Sequence, residues 1–143
     1  MFSVKTPKKI KTEISHENVN QEADAFSSAK FILCDMKNKA VQINVWAEID
    51  NGCLKISGQE FGAAVNGFFN ADEYEYFYTF DKKNTELLIN LSLKKKCEDM
   101  PPLIKAELFK MHLLEKYSDA DGCKRLKNFC DENGIEYKFF NYF

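Results

Sequence analysis

The chain contains almost no arginine. Arg125 is the single arginine among 20 basic residues, the net charge is −2 and the pI is about 5.8. Arginine presents the planar fork that suits phosphate recognition, and nucleic-acid-binding domains usually show a basic face with a pI above about 9. The composition therefore argues against DNA or RNA as a partner.

Long apolar runs and paired cysteine motifs are also missing. No segment approaches the roughly 18 apolar residues typical of a membrane span, and the first residues lack the apolar stretch of a signal peptide. The cysteines are odd in number and include no C-x-x-C pair; they are Cys34, Cys53, Cys97, Cys123 and Cys130. These features predict a reduced, cytoplasmic protein that does not enter a membrane.

The sequence shows no catalytic, cofactor or metal motif. Its two histidines, His16 and His112, have no neighbouring pattern that would make either one a general base. The glycines do not match the spacing of a phosphate-binding loop. Cys123 and Cys130 share one helical face, but packing in the core explains them better than a metal site does. We therefore predict no cofactor and no metal.

The size of the chain indicates one domain. A chain of 143 residues with 45% hydrophobic and 14% aromatic residues can bury a sizeable core. Residues 1–28 are polar and mixed in charge, so we interpret them as an N-terminal arm. This arm is either a flexible tail, a short strand at residues 10–14 or a partner-binding segment. Residues 29–143 are predicted to form a single domain.

A β-hairpin is the clearest local prediction. Apolar and polar residues alternate over residues 41–50, which is typical of a half-buried strand. Asn51 and Gly52 then form the strongest short signal for a type I′ turn. A two-residue turn there sets Glu48 opposite Lys55 and pairs apolar with apolar residues further along.

A second hairpin is predicted just before the first. A two-residue turn at Asn38 and Lys39 would join a strand over residues 30–36 to the next strand. The resulting register places Met36, Cys34 and Ile32 opposite Val41, Ile43 and Val45. Three strands would then form an antiparallel meander.

The helices and strands after the meander are predicted from the spacing at which apolar residues recur. A short helix over about residues 60–69 and a strand over residues 73–80 follow the meander. Three helices and a final strand over residues 135–143 complete the chain. The sequence therefore predicts an α+β fold: an antiparallel sheet of about five strands in the order β-β-β-α-β-α-α-α-β, with the helices mainly on one face.

The three late helices are predicted from terminal signals and apolar stripes. Asp81 or Asn84 is expected to cap the first helix, and Ser118 begins a capping-box pattern for the third. The side chains predicted to face the core are Leu87, Leu88 and Leu91 in the first helix, Leu103, Ile104, Leu108, Met111 and Leu114 in the second, and Cys123, Leu126, Phe129 and Cys130 in the third.

An acidic stretch rich in tyrosine is the main candidate for function. Residues 56–81 include five acidic residues and no basic one. Two interpretations are open: the tyrosines pack under the helices while the glutamates are solvated, or both form a surface for a basic protein partner. The candidate binding residues are Glu60, Asp72, Glu73, Tyr74, Glu75, Tyr76 and Tyr78.

Two other functional classes remain open. A small carboxylate-dependent enzyme would require Glu60, Glu73 and Glu75 to converge in a pocket with a perturbed pKa. A structural or self-associating protein would pair through the aromatic final strand. The sequence does not determine the oligomeric state.

Three short motifs carry a resemblance. They are S-G-Q-E-F-G (57–62), D-E-Y-E-Y-F-Y-T-F (72–80) and N-G-I-E-Y-K-F-F-N-Y (133–142). They resemble a group of small uncharacterised bacterial proteins that share a G-Q-D-L-G element, a Y-E-Y strand and a late G-I-x-Y-x-F strand. In size and acidity such chains are similar to the immunity partners of bacterial toxins, which implies a protein that neutralises a basic toxin domain.

Overall fold

A computed structural model describes residues 28–62 and 73–143. These residues form a five-stranded antiparallel sheet and three helices, which is an α+β fold with the predicted order of strands and helices. The strands lie in the sheet in chain order. They are β1 (Ser28–Lys37), β2 (Gln42–Asp50), β3 (Cys53–Phe61), β4 (Glu73–Thr79) and β5 (Lys138–Tyr142), and the helices are α1 (Lys82–Leu93), α2 (Pro102–Tyr117) and α3 (Gly122–Glu132).

The β2–β3 hairpin has the predicted register. Asn51 and Gly52 have φ angles of 55° and 79°, as a type I′ turn requires. Glu48 pairs with Lys55, and Asp50 pairs with Cys53 across the turn. The prediction from this dipeptide is confirmed.

The predicted register of the β1–β2 hairpin is wrong by two residues. Met36 pairs with Ile43 because the connection is longer than a two-residue turn. The Asn38 side chain shapes this connection, since its Oδ1 atom accepts hydrogen bonds from the backbone N–H groups of Ala40 and Val41 at 2.8 and 2.9 Å. A side-chain-stabilised turn therefore replaces the tight one.

A β-bulge in β1 also changes which side chains face the core. Ile32 pairs with Trp46 and Cys34 pairs with Val45, so Leu33 is an extra residue in the strand. Leu33 and Cys34 are consequently both buried, whereas Ile32 is 57% exposed. The predicted pairing of Ile32 with Val45 is wrong for this reason.

Two sequence predictions reach into residues that the structure does not describe. The polar N-terminal arm lies outside the described residues apart from Ser28. Of the helix predicted over residues 60–69, Glu60 and Phe61 belong to β3 instead, where they pair with Tyr74 and Glu73. Residues 63–69 of that helix lie outside the described part of the chain.

All three described helices pack against one face of the sheet. Asp81 caps α1, because its Oδ1 atom accepts a hydrogen bond from the Asn84 backbone N–H at 2.8 Å. The buried side chains of the helices join those of the strands in one core. That core includes Ile43, Val45, Ala47, Ile49, Leu54 and Ile56 from the sheet, and Leu88, Ile89, Phe109, Leu113, Tyr117, Leu126 and Cys130 from the helices.

The predicted core faces are right for α3 and partly wrong for α1 and α2. Leu126 and Cys130 of α3 are buried as expected. In α1, Leu88 is buried, but Leu87 and Leu91 are exposed. Most of the stripe predicted for α2 points outward, with Leu103, Ile104 and Met111 exposed, while Phe109, Leu113 and Tyr117 are buried.

The capping prediction for the third helix is wrong. Ser118 is the C-cap of α2, and α3 begins four residues later at Gly122. Asp119 organises this corner instead: its side chain accepts a hydrogen bond from the Asp121 backbone N–H at 3.0 Å and pairs with Arg125 at 2.9 Å.

The pairing of β3 with β4 determines which face of β4 meets the helices. Tyr76 pairs with Gly58 and is 7% exposed. A Cβ atom at residue 58 would overlap the Tyr76 ring, so the absence of a side chain on Gly58 creates the space that the ring fills. The odd-numbered residues of β4 consequently point to the other side of the sheet, which we call the outer face.

We predict that Gly58→Ala destabilises the fold. The added methyl group would overlap a buried ring, and overpacking of this kind costs about 1–3 kcal/mol of the free energy of unfolding. Thermal and urea unfolding measure the loss. Ser57→Ala on the same strand is the control, since residue 57 lies on the outer face, and equal stability of the two variants would contradict the prediction.

Candidate functional site

The structure divides the predicted binding residues between the two faces of the sheet. Tyr74, Tyr76 and Tyr78 lie on the helix-covered face, together with Glu60, which pairs with Tyr74. Glu73 and Glu75 lie on the outer face, where they pair with Phe61 and Gln59. Asp72 lies outside the described residues.

A cavity forms on the helix-covered face where β4 approaches the start of α3. Its volume is about 210 Å³, and we call it the tyrosine cavity. The cavity contains all three candidate tyrosines and Glu60, so the structure brings these four predicted residues together. Its lining residues are Glu60, Tyr74, Tyr76, Tyr78, Phe139, Ala120, Cys123, Lys124 and Lys127.

Four of the nine residues that line the cavity are aromatic. The ring centroids of Tyr74 and Tyr76 are 5.5 Å apart, and those of Tyr76 and Tyr78 are 6.0 Å apart with the rings nearly perpendicular. Phe139 of β5 continues the row at 5.0 Å from Tyr78. The row forms because residues two apart on β4 share a face and β5 pairs alongside it.

Glu60 is the acidic group of the tyrosine cavity. Its side chain is half-buried, and burial raises the pKa of the carboxyl above its usual range. Within residues 28–62 and 73–143, no group forms a hydrogen bond or an ion pair with this carboxylate. Glu60 is therefore a partly desolvated acid without a counter-ion in the described part of the chain.

Cys123 and Tyr76 close the inner end of the cavity. The Tyr76 hydroxyl donates a hydrogen bond to the Cys123 Sγ atom at 3.8 Å. Burial raises the pKa of Cys123 to about 11 and also raises the pKa of Tyr76. Both groups are therefore neutral near pH 7, and Cys123 has little of the thiolate that a nucleophilic cysteine needs.

Two lysines stand at the rim of the cavity. Lys127 is paired with Asp131, whose Oδ2 atom lies 2.9 Å from the lysine Nζ atom. Lys124 is exposed on the same helix. The lining therefore combines the Glu60 carboxylate with two lysines, of which Lys127 is paired with an acid outside the cavity.

The outer face carries the other two candidate carboxylates. Glu75 accepts a hydrogen bond from the Gln59 Nε2 atom at 2.8 Å. Partial desolvation, the neighbouring Glu75 carboxylate and a hydrogen bond between the two side chains raise the pKa of Glu73. The two acids therefore crowd each other at one end of the sheet.

Aromatic side chains flank this acidic pair. Phe77 lies 5.9 Å from Tyr142, measured between ring centroids, and Lys55 lies 4.8 Å above the Phe77 ring. Phe140 and Tyr142 keep 46% and 57% of their surface exposed. A groove of about 490 Å³ is lined by Lys55, Glu75, Phe77, Thr79, Phe140 and Tyr142. We call Glu73, Glu75, Phe77, Phe140 and Tyr142 the aromatic-acidic patch.

Several residues of both sites were not among the sequence candidates. Phe139, Phe140 and Tyr142 enter through the β4–β5 pairing, in which Phe139 lies beside Tyr78 and Tyr142 beside Glu75. Alternation in the final strand was the available signal, but it could not show which strand β5 joins. Cys123 is placed by helix packing, which the sequence does not reveal.

The structure does not bring the three candidate catalytic carboxylates together. Glu60 lies on the helix-covered face, whereas Glu73 and Glu75 lie on the outer face. Over residues 28–62 and 73–143, no group of three or more histidine, cysteine, aspartate or glutamate side chains could hold a metal ion. All five cysteines are free thiols.

Comparisons with known proteins do not indicate a function for this chain. No protein-family model, curated protein or solved structure matches this chain. Each helix in the described part of the chain is too short or too polar to cross a membrane.

We predict that Glu60→Gln stabilises the protein near pH 7. A carboxyl whose pKa is raised by folding contributes most stability below its unfolded pKa of about 4.3, and this contribution is lost as the pH rises through the folded pKa. Glutamine stays neutral, so the variant should melt on the order of a few degrees higher at pH 7.

The pH dependence provides the check. The difference in melting temperature between wild type and Glu60→Gln should disappear below about pH 4, where the wild-type carboxyl is protonated in both states. Glu132→Gln, at an exposed position at the end of α3, makes the same chemical change as a control. A Glu60→Gln variant that is less stable than wild type at pH 7 would contradict the prediction.

Proposed function

We propose that this chain is a non-enzymatic, cytoplasmic protein-binding domain that recognises a basic partner through the aromatic-acidic patch. The observation that supports it most is the exposure of Phe140 and Tyr142 beside a crowded pair of carboxylates. Exposed aromatic rings are favoured anchors at protein interfaces. Acidic groups next to them favour a partner of positive charge.

The electrostatics of Glu73 and Glu75 support a cationic partner in particular. Partial desolvation and repulsion from the neighbouring Glu75 carboxylate both disfavour the charged form of Glu73. A lysine or arginine side chain of a partner would relieve this repulsion while it pairs with the acids. The free energy gained on binding would then include the removal of an unfavourable interaction in the unbound protein.

The more specific form of this proposal is an immunity protein that neutralises a bacterial toxin by covering a basic surface around its active site. The patch differs from the tyrosine-rich surface expected from the sequence, because Tyr76 is buried and Tyr74 and Tyr78 are half-buried under the helices. The aromatic anchors in the revised surface are Phe77, Phe140 and Tyr142. The acidic members Glu73 and Glu75 are retained.

We predict that the double substitution Glu73→Lys and Glu75→Lys slows association with the partner by about tenfold or more at low salt, because steering by opposite charge is replaced by repulsion. The partner is first captured from the source cells with the wild-type chain, identified and purified. Association rates are then measured by surface plasmon resonance at low and high ionic strength. High salt should reduce the difference between variant and wild type.

A second double substitution controls for the change in net charge. Glu98→Lys and Asp99→Lys make the same reversal in the exposed connection between α1 and α2 and should leave the association rate close to that of wild type. For the immunity form, the purified partner must also lose its toxic activity on binding. An association rate that is the same for wild type and the patch variant at both salt concentrations would refute the proposal.

The position of β5 at the edge of the described sheet favours self-association as a second candidate function. Among the described strands β5 pairs with β4 alone, and all five of its residues are exposed. Exposed edges with aromatic side chains are templates for pairing with another strand.

We predict for this second candidate that sedimentation equilibrium detects dimers at high protein concentration. Tyr142→Lys should weaken the dimer, since a charged side chain on an edge strand opposes pairing. A wild-type chain that stays monomeric over the whole concentration range would exclude this function.

A further inference from the structure

The tyrosine cavity combines two chemical features that the proposed function does not use. Four of its nine lining residues are aromatic, and their rings form a row from Tyr74 through Tyr78 to Phe139. Its one acidic group is Glu60, which is half-buried and forms no ion pair among the described residues, although the exposed Lys124 and Lys127 also line the cavity. A carboxylate held in such a position is less stable than one in water, because burial disfavours charge. A ligand that supplies positive charge would remove this cost.

The aromatic rings favour an organic cation over an inorganic one. The face of an aromatic ring carries partial negative charge and attracts ammonium groups, most strongly where water is excluded. Tyrosine and phenylalanine rings also offer apolar surface to the carbon atoms attached to the nitrogen. An organic ammonium ion therefore finds favourable contacts on both its charged and its apolar atoms.

Other classes of ligand fit the cavity less well. A hard metal ion requires several oxygen ligands, whereas the cavity lining contains one carboxylate, Glu60. An anion would meet that carboxylate inside the cavity, and Lys127 at the rim is already paired with Asp131. The volume of about 210 Å³ is below the roughly 300–1,000 Å³ of sites for drug-sized ligands, which favours a small head group.

We propose that the tyrosine cavity binds an organic ammonium ion, with Glu60 as its counter-ion and the rings of Tyr74, Tyr78 and Phe139 as its walls. The ion is either a free small molecule or the end of a lysine side chain, since both present the same chemistry. This site lies on the opposite side of the sheet from the aromatic-acidic patch, so the proposal is independent of the proposed function.

Two pairs of compounds test the need for positive charge. Choline and its neutral carbon analogue 3,3-dimethylbutanol differ in the charge at the head group, as do Nα-acetyl-lysine methylamide and the corresponding norleucine derivative. Each is titrated into the 143-residue chain and followed by NMR. The charged compounds should shift the ring signals of Tyr74, Tyr78 and Phe139, and the neutral ones should not. The compound that binds more tightly distinguishes a free quaternary ammonium ion from a lysine side chain.

Variants at the cavity test the assigned counter-ion. Glu60→Gln should weaken binding of the charged compounds by about tenfold, since it removes the charge-assisted interaction. Lys124→Met removes a competing positive charge from the rim and should tighten binding by about twofold. Glu132→Gln is the matched control and should bind like wild type. Circular dichroism confirms that each variant is folded.

The proposal fails on any of three results. Charged and neutral compounds that bind equally would show an apolar pocket without selectivity for cations. Affinity for the charged compounds that is unchanged in Glu60→Gln would show that Glu60 is not the counter-ion. The absence of ring-signal shifts with either charged compound at millimolar concentration would show that no such site exists.

Discussion

The packing of Tyr76 over Gly58 determines how the chemistry of this chain is divided in space. The Tyr76 ring occupies the space above a glycine on the neighbouring strand, and its hydroxyl contacts Cys123 on α3. Once this residue faces the helices, Tyr74 and Tyr78 must face them too, because side chains alternate along a strand. Glu73 and Glu75 are thereby directed to the outer face. One contact between β3 and β4 thus separates the aromatic cavity from the acidic surface.

The parts of the fold that depend on local backbone chemistry could be predicted from the sequence. Asn51 and Gly52 determine the β2–β3 register because they tolerate the positive φ angles of a type I′ turn. The β1–β2 register depends instead on side-chain hydrogen bonds from Asn38 and on the extra residue Leu33. Neither feature has a signature in the apolar pattern, and each shifts the side chains that face the core.

For the helices, the sequence predicts their presence but not which side chains they bury. Their presence and order follow from capping residues and length, but their buried faces depend on what the sheet offers. Thr85 of α1 is buried because its Oγ1 atom accepts a hydrogen bond from the Leu54 backbone N–H at 2.9 Å. An apolar stripe cannot reveal a polar residue that is buried to satisfy a strand. The predicted stripes of α1 and α2 accordingly included leucines that the structure leaves exposed.

The part of the candidate site that depends on alternating side chains in β4 could be predicted from the sequence. The position of Glu60 could not, because it depends on where β3 ends. A period of two already separates the tyrosines of β4 from Glu73 and Glu75. Glu60 was expected in a helix because residues 60–69 show apolar spacing, yet β3 continues through Phe61. At Glu60 and Phe61, pairing with β4 outweighs the weak helical period, since both residues gain backbone hydrogen bonds within the sheet.

The acidic stretch is therefore not one electrostatic field but several carboxylates with different energetic states. Asp81 is committed to the α1 cap, where hydrogen bonds from the Asn84 backbone and side chain lower its pKa. The pKa values of Glu73 and Glu60 are raised instead. For Glu73 the causes are partial desolvation and the like charge of Glu75, and for Glu60 the cause is burial. A charge that folding leaves in an unfavourable environment is stabilised by whatever cation reaches it. The structure thus places a carboxylate in an unfavourable environment on each face of the sheet. The two proposals, a basic protein partner at the outer face and a small organic cation in the tyrosine cavity, rest on these two carboxylates.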